Sequence, residues 1–208
     1  MYKSVSLKKW VMMSSLLFIS FTGFSQGESL SQTFLASYTF ETNYEYLKAA
    51  NVIKESKAAT TYEGYLRMGW CYYLAKDYIL SKANYEKSIE LMPFAIEPHL
   101  GLVNPLSALG NWEQVLEQYQ IILKTDPQNT LTLYRVGLIY YNRKEFSAAQ
   151  KYFEKVVNLY PFDYDSTIML AWTMIKQGKS IEANVLFNKA LLMRPNDASA
   201  TEGLKMIK

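Results

Sequence analysis

The sequence predicts an all-α chain in which antiparallel helix pairs stack into a solenoid. Three observations carry this. Pro93, Pro127, Pro161 and Pro195 recur at intervals of 34 residues, a period typical of stacked helical repeats. Tyr85, Tyr119, Phe153 and Phe187 keep the same interval, each eight residues before a proline. Gly69, Val103, Gly137 and Ala171 keep it again, each 24 residues before. Within every period apolar residues fall twice at i, i+3, i+4, i+7 spacing, once for each of two helices.

The chain opens with Lys3, Lys8 and Lys9, followed by a 15-residue apolar run from Trp10 to Phe24 that contains Ser14, Ser15, Ser20, Thr22 and Gly23. A membrane span needs about 18 or more apolar residues, so this run is short. A basic start, a short apolar middle and small residues at the end read as a signal peptide over 1–25. Gly23 and Ser25 then stand at −3 and −1 of a cut before Gln26. An uncleaved anchor is the alternative. No Cys follows the run, so a lipid anchor is not indicated.

Residues 26–61 are close to one period long. Leu30, Phe34, Leu35 and Tyr38 make one helical stripe; Tyr44, Leu47, Ala50 and Ile53 or Lys54 make a second. The closing proline is missing, and the segment reads as a degenerate N-terminal capping repeat. With each proline at position 32, four repeats follow: 62–95, 96–129, 130–163 and 164–197. Polar or glycine pairs at Lys76-Asp77, Gly110-Asn111, Lys144-Glu145 and Gly178-Lys179 divide each repeat into two helices. The residue before a proline disfavours helix, which ends the second. Helices are expected near 63–75, 78–91, 97–109, 112–124, 131–143, 146–159, 165–177 and 180–192. Residues 198–208 read as a C-terminal capping helix, with Thr201, Leu204 and Lys205 continuing the register.

Repeat one reads Tyr65, Met68, Gly69, Tyr72, Ser81, Tyr85, Ser88, Pro93 at positions 4, 7, 8, 11, 20, 24, 27 and 32. Repeat three reads Leu133, Val136, Gly137, Tyr140, Ala149, Phe153, Val156, Pro161, and repeat four Thr167, Leu170, Ala171, Met174, Ala183, Phe187, Ala190, Pro195. This pattern resembles the tetratricopeptide repeat family, which places large, Leu, small, Tyr, Ala, aromatic, small and Pro residues there. Repeat two departs most, with His99, Val103, Leu106 and Val115 where large, small, Tyr and Ala are usual. Small residues at 8 and 20 let the paired axes approach, and aromatics at 11 and 24 fill the flanks.

Composition limits the chemistry. The 208 residues include 22 Lys+Arg, 19 Asp+Glu, one His and one Cys. Removing the leader takes three lysines and leaves 19 basic against 19 acidic residues. A neutral chain offers no electrostatic case for nucleic acid or an anionic membrane surface. One Cys forms no internal disulfide, and no Cys/His cluster can hold zinc. His99 sits on an interior stripe with no nucleophile beside it. Cys71, flanked by Trp70 and Tyr72, reads as a packed thiol. Asp163 and Asp165, at a repeat junction, read as helix-capping rather than as an acid–base pair. No phosphate loop, dinucleotide fingerprint or nucleophile elbow is present. The expectation is a non-enzyme without cofactor or metal.

The resemblance implies a right-handed superhelix whose concave wall is lined by the first helices. It places positions 2, 5, 9 and 12 on that wall: Glu63, Leu66, Trp70 and Tyr73; Glu97, Leu100, Asn104 and Ser107; Leu131, Tyr134, Leu138 and Tyr141; Asp165, Ile168, Trp172 and Ile175. An apolar, aromatic wall of this kind marks an interaction surface. Some family members clamp a C-terminal carboxylate with Lys, Asn and Arg. Here those positions hold Leu66, Trp70, Gly101, Leu131 and Arg135, so only Arg135 matches. The expected ligand is an apolar or aromatic polypeptide segment, with Glu63, Glu97, Asp165 and Arg135 setting its register. Self-association through the same wall is the alternative. Pro105, inside a first helix, is expected to kink it and to expose the Gly101 carbonyl beside Asn104. The expected location is periplasmic or secreted, with no membrane insertion once the leader is removed.

Overall fold

The computed structural model describes residues 29–207, and the leader expected over 1–25 lies outside them. Eleven α-helices and no strands occur among the described residues. They are α1 (Leu30–Thr42), α2 (Tyr46–Lys54), α3 (Tyr62–Leu74), α4 (Tyr78–Leu91), α5 (Ile96–Ala108), α6 (Trp112–Thr125), α7 (Thr130–Asn142), α8 (Phe146–Leu159), α9 (Tyr164–Lys176), α10 (Ser180–Met193) and α11 (Ala198–Ile207). Each helix packs on the next in the chain, so the pairs stack as a solenoid. No helix among the described residues is long and apolar enough to cross a membrane.

The helix ends follow local chemistry. Thr61, Asp77, Asn129 and Asp163 each accept a backbone N–H from the first turn of the following helix, which satisfies donors that the helix cannot. Asp163 thus caps α9, as expected. The turns inside the repeats are left-handed at one residue. Lys76, Gly110, Lys144 and Gly178 have φ of 62°, 76°, 63° and 76°. Glycine adopts this region freely, whereas the two lysines do so at a cost.

The core is built from rings set against glycine. Tyr85 on α4 lies between Gly69 of α3 and Gly101 of α5, Phe153 lies on Gly137, and Phe187 lies on Gly203. All three rings are buried, each worth roughly 1.5–3 kcal/mol in transfer from water. His99 is buried too, with Nδ1 2.7 Å from Gln118 Oε1 and Nε2 3.2 Å from the Pro93 carbonyl oxygen. Cys71 is a buried free thiol, and burial pushes its pKa up.

One expectation needs correction. The stripe read on the first described helix faces the wrong way: Leu30, Leu35 and Tyr38 are exposed, and Thr33 and Ser37 are the buried residues of α1. Small hydroxyl side chains allow α1 to approach Ala49 and Ala50 of α2, and Ser37 Oγ donates to the Ala49 carbonyl at 2.8 Å. Tyr44 and Leu47 are likewise exposed, since Tyr44 is a turn residue with φ of 62°. The helix α5 continues through Pro105 to Ala108, with Pro105 buried.

Candidate functional site

The first helices line two adjoining cavities. One, of about 540 Å³, lies between α1, α3 and α5. Leu66 and Trp70 of α3 and Leu100 and Asn104 of α5 form its sides, Tyr85 its floor, and Phe34 and Tyr38 close it from α1. Glu63 and Glu97 stand at its rim, both exposed. The Tyr62 hydroxyl lies 3.5 Å from Glu97 Oε2, and burial, then Glu97, pushes that phenol's pKa up.

The wall of this cavity is held by a charged network. Arg67 is buried, its Nε donates to Ser37 Oγ at 2.9 Å, and its guanidinium pairs with Glu41. The same guanidinium stacks 4.0 Å from the centre of the Tyr38 ring. Trp70 Nε1 donates to the other Glu41 oxygen at 2.8 Å. These contacts fasten α1 to α3 and fix the Trp70 indole. They also consume Glu41, so the two acids left facing the cavity are Glu63 and Glu97.

The second cavity, of about 530 Å³, opens between α5, α6 and α7. Leu100 and Asn104 line it as well, so the two cavities are consecutive segments of one groove. Ser107, Trp112 and Val115 complete one side; Leu131, Arg135 and Leu138 form the other. Arg135 is exposed and forms no ion pair among the described residues. Burial pushes the Tyr119 phenol's pKa up, and the nearby Arg135 charge opposes the shift.

The repeats differ in bulk around this cleft. At the two inward positions of the second helix, α4 carries Ser81 and Ser88, α8 Ala149 and Val156, and α10 Ala183 and Ala190. At the same positions α6 carries the β-branched pair Val115 and Ile122. On the facing first helix, Gly101 and Gly203 admit the rings of Tyr85 and Phe187. The corresponding residue of α7 is Arg135 and that of α9 Met169. Helix α6 meets α7 along a much sparser contact than α4 makes with α5 or α8 with α9, and the second cavity opens there.

The two cavities take in part of the expected wall. Glu63, Leu66, Trp70, Glu97, Leu100, Asn104, Ser107, Leu131, Arg135 and Leu138 line the two cavities. Tyr73, Tyr134, Tyr141, Asp165, Ile168, Trp172 and Ile175 line neither. Tyr73 packs between Trp70 and Tyr78, Tyr134 against Phe153, and Tyr141 against Phe146. Ile168 is buried in the C-terminal core, on which Ile175 also packs. Trp172 meets the Phe187 ring edge-on at 5.1 Å, and its Nε1 donates to Ser199 Oγ of α11 at 2.8 Å. Asp165 is exposed, 3.6 Å from Arg194. Phe34, Tyr38, Tyr62, Tyr85 and Trp112 belong to the site without having been read from sequence as groove residues. Tyr85 had a signal, its 34-residue register, but that register marks core and groove floor alike. Among the described residues no group of three or more His, Cys, Asp and Glu side chains could hold a metal ion.

Comparison with known proteins completes the picture. Tetratricopeptide repeat family models match residues 62–93 and 130–163. A protein from Caenorhabditis elegans, RNA polymerase-associated protein CTR9, is 28% identical over 99 residues; the match spans 47% of this chain and 9% of that protein's length. Among solved structures, a tetratricopeptide repeat protein from Parabacteroides merdae superposes with a TM-score of 0.72 at 19% identity, covering 85% of this chain and 71% of that one. MamA from Desulfovibrio magneticus superposes with a TM-score of 0.67 at 17% identity, covering 81% and 97%. YrrB, described as a TPR protein with an unusual peptide-binding site, superposes with a TM-score of 0.68 at 17% identity, covering 86% and 94%. At these identities the structural likeness concerns the fold.

Proposed function

We propose that this chain, a tetratricopeptide repeat protein, is an exported, non-catalytic scaffold that holds an extended polypeptide segment in the groove formed by α1, α3, α5 and α7. The observation that carries the reading is the pairing of two adjoining cavities of opposite charge, one rimmed by Glu63 and Glu97 and the other by Arg135. A basic side chain of the ligand lies in the aromatic first cavity, its stem on Leu66 and Trp70 and its charge between the two glutamates. An apolar residue passes over Leu100. An acidic side chain or main-chain carbonyl then meets Arg135 in the second cavity. The charges set direction and register, and the buried aromatic surface supplies affinity. The description of YrrB as peptide-binding supports a peptide as the ligand class. Export rests on the Lys3, Lys8, Lys9 and Trp10–Phe24 pattern, and N-terminal sequencing of the protein from its native host tests it.

The binding test uses short synthetic peptides carrying a basic, an apolar and an acidic residue in order, with reversed and charge-neutral controls, followed by tryptophan fluorescence. The basic-to-acidic peptide should bind, and Glu63→Gln/Glu97→Gln should weaken it about tenfold, near 1.4 kcal/mol, with a flatter salt dependence. Equal binding of the reversed and neutral peptides by both proteins would show that the groove charges do not choose the ligand.

A further inference from the structure

The outer face of α10 differs from that of the other second helices. Its solvent-facing residues follow a 4-3-4 spacing: Ile181, Val185, Asn188 and Leu192. Ile181 is 81% exposed, Val185 64% and Leu192 74%. At the same four positions α6 carries Glu113, Glu117, Gln120 and Lys124, and α8 carries Ser147, Lys151, Glu154 and Asn158. Those faces are built for water. The α10 face has three large apolar side chains, and no element of the fold among the described residues covers them. We infer that α10 pairs with α10 of a second copy of this chain, antiparallel and about a two-fold axis.

The argument rests on spacing and charge. A 4-3-4 alternation is the seam of a two-helix coiled coil, with Ile181 and Asn188 at d and Val185 and Leu192 at a. Antiparallel pairing places Ile181 against Leu192 of the second copy, and Val185 against its Asn188, so the two outer layers are fully apolar. The Asn188 amide already donates to the Asn184 carbonyl at 2.8 Å, so burying it does not leave that donor unpaired.

Glu182 and Lys189 flank the seam seven residues apart, both at the e position. Neither forms an ion pair within the described residues of its own copy. In an antiparallel pair e faces e, so each Glu182 meets a Lys189 and the contact occurs twice. Parallel pairing would face Lys189 with the neutral Asn184 instead. Charge complementarity thus selects one orientation and makes the face complementary to itself, as a two-fold interface requires. The helix is 14 residues long, about 21 Å. A single helix pair of that size sits at the low end of specific interfaces, so the dimer is reversible and forms with rising concentration. No α10 residue lines either groove cavity, so this inference is independent of peptide binding.

Sedimentation velocity over a concentration series of the full chain tests it. The wild type should pass from monomer to dimer. Glu182→Lys and Lys189→Glu should each weaken the dimer about tenfold, and Glu182→Lys/Lys189→Glu should restore it to within about threefold of wild type. Val185→Glu should be monomeric. The four variants alter exposed side chains and the half-buried Lys189, and should keep the wild-type helical circular dichroism. A wild type that stays monomeric to millimolar concentration would overturn the inference. So would single reversals that match wild type, a double reversal no better than the singles, or a Val185→Glu dimer.

Discussion

Replacing Gly101 by alanine puts one methyl group where the fold has closed around a ring. In an open helix this change stabilises by up to about 1 kcal/mol, because alanine has the better helix propensity. Here a Cβ at Gly101 would lie 2.2, 2.5 and 2.8 Å from Cε1, Cζ and Cδ1 of Tyr85. The ring would have to retreat by more than an ångström. Its retreat is limited, because the ring also packs on the Gly69 backbone and Tyr85 is only 3% exposed. Overpacking of a locked site costs about 1–3 kcal/mol, and a ring held on both faces belongs in the upper half of that range. The net loss is then about 1–2 kcal/mol, or roughly 2–8 °C in Tm for a chain of this size. Urea unfolding gives the total. Hydrogen exchange should place the loosening in α3, α4 and α5. In a Tyr85→Leu background the same alanine should be neutral or stabilising, since the ring it strikes is gone. Gly101→Ala as stable as wild type would show that the ring is free to move, and the account of why this junction closes would fail with it.

Two further outcomes follow from single residues. Lys144→Gly should raise stability by roughly 0.5 kcal/mol or more, seen as a higher urea midpoint, because Lys144 sits at φ of 63° in a turn where Gly178 occupies the equivalent place, and glycine removes that strain at some unfolded-state entropy cost; an unchanged or lower midpoint would count against strain there. Asp197 accepts the Ala200 N–H at 2.8 Å at the start of α11, and the Tyr164 hydroxyl, then that N–H, holds its carboxyl below the ordinary 3.8. A lowered carboxyl pKa contributes stability above 3.8 that is lost as pH falls through the folded value. Asp197→Ala should therefore speed amide exchange in α11 near neutral pH, for a loss of about 1 kcal/mol, and make little difference once the carboxyl is protonated. An equal difference in stability at both pH values would remove the cap from the explanation.

The eight helices from α3 to α10 were legible because several independent signals share one period. The prolines, the second-helix aromatics and the turn residues all repeat at 34, so each boundary is fixed more than once. The helix expected over 78–91 is Tyr78–Leu91, and that expected over 63–75 is Tyr62–Leu74. The α1 face was not legible. It packs through Thr33 and Ser37, and hydropathy reads hydroxyl residues as outward-facing. The partners of Ser37, a backbone carbonyl on α2 and a buried arginine on α3, are contacts a linear pattern does not encode. The site was legible by half for a related reason. Helical spacing puts Leu66, Trp70, Leu100 and Leu138 on a concave side, but it does not say which neighbours lean across them. Tyr134, Tyr141 and Trp172 share that spacing, yet each is packed against an aromatic ring from its own pair's second helix.

The second cavity lies where the periodicity of the repeats breaks. Repeat two carries Val115 and Ile122 at the inward second-helix positions, and repeat three answers with Arg135. Val115 and Arg135 line the cavity of about 530 Å³ between α5, α6 and α7. The Arg135 charge has no counterion among the described residues. A cation left facing the cleft favours an anionic or carbonyl-bearing occupant. The regular positions specify the fold, and these departures from them shape the cavity in which the proposed segment would lie.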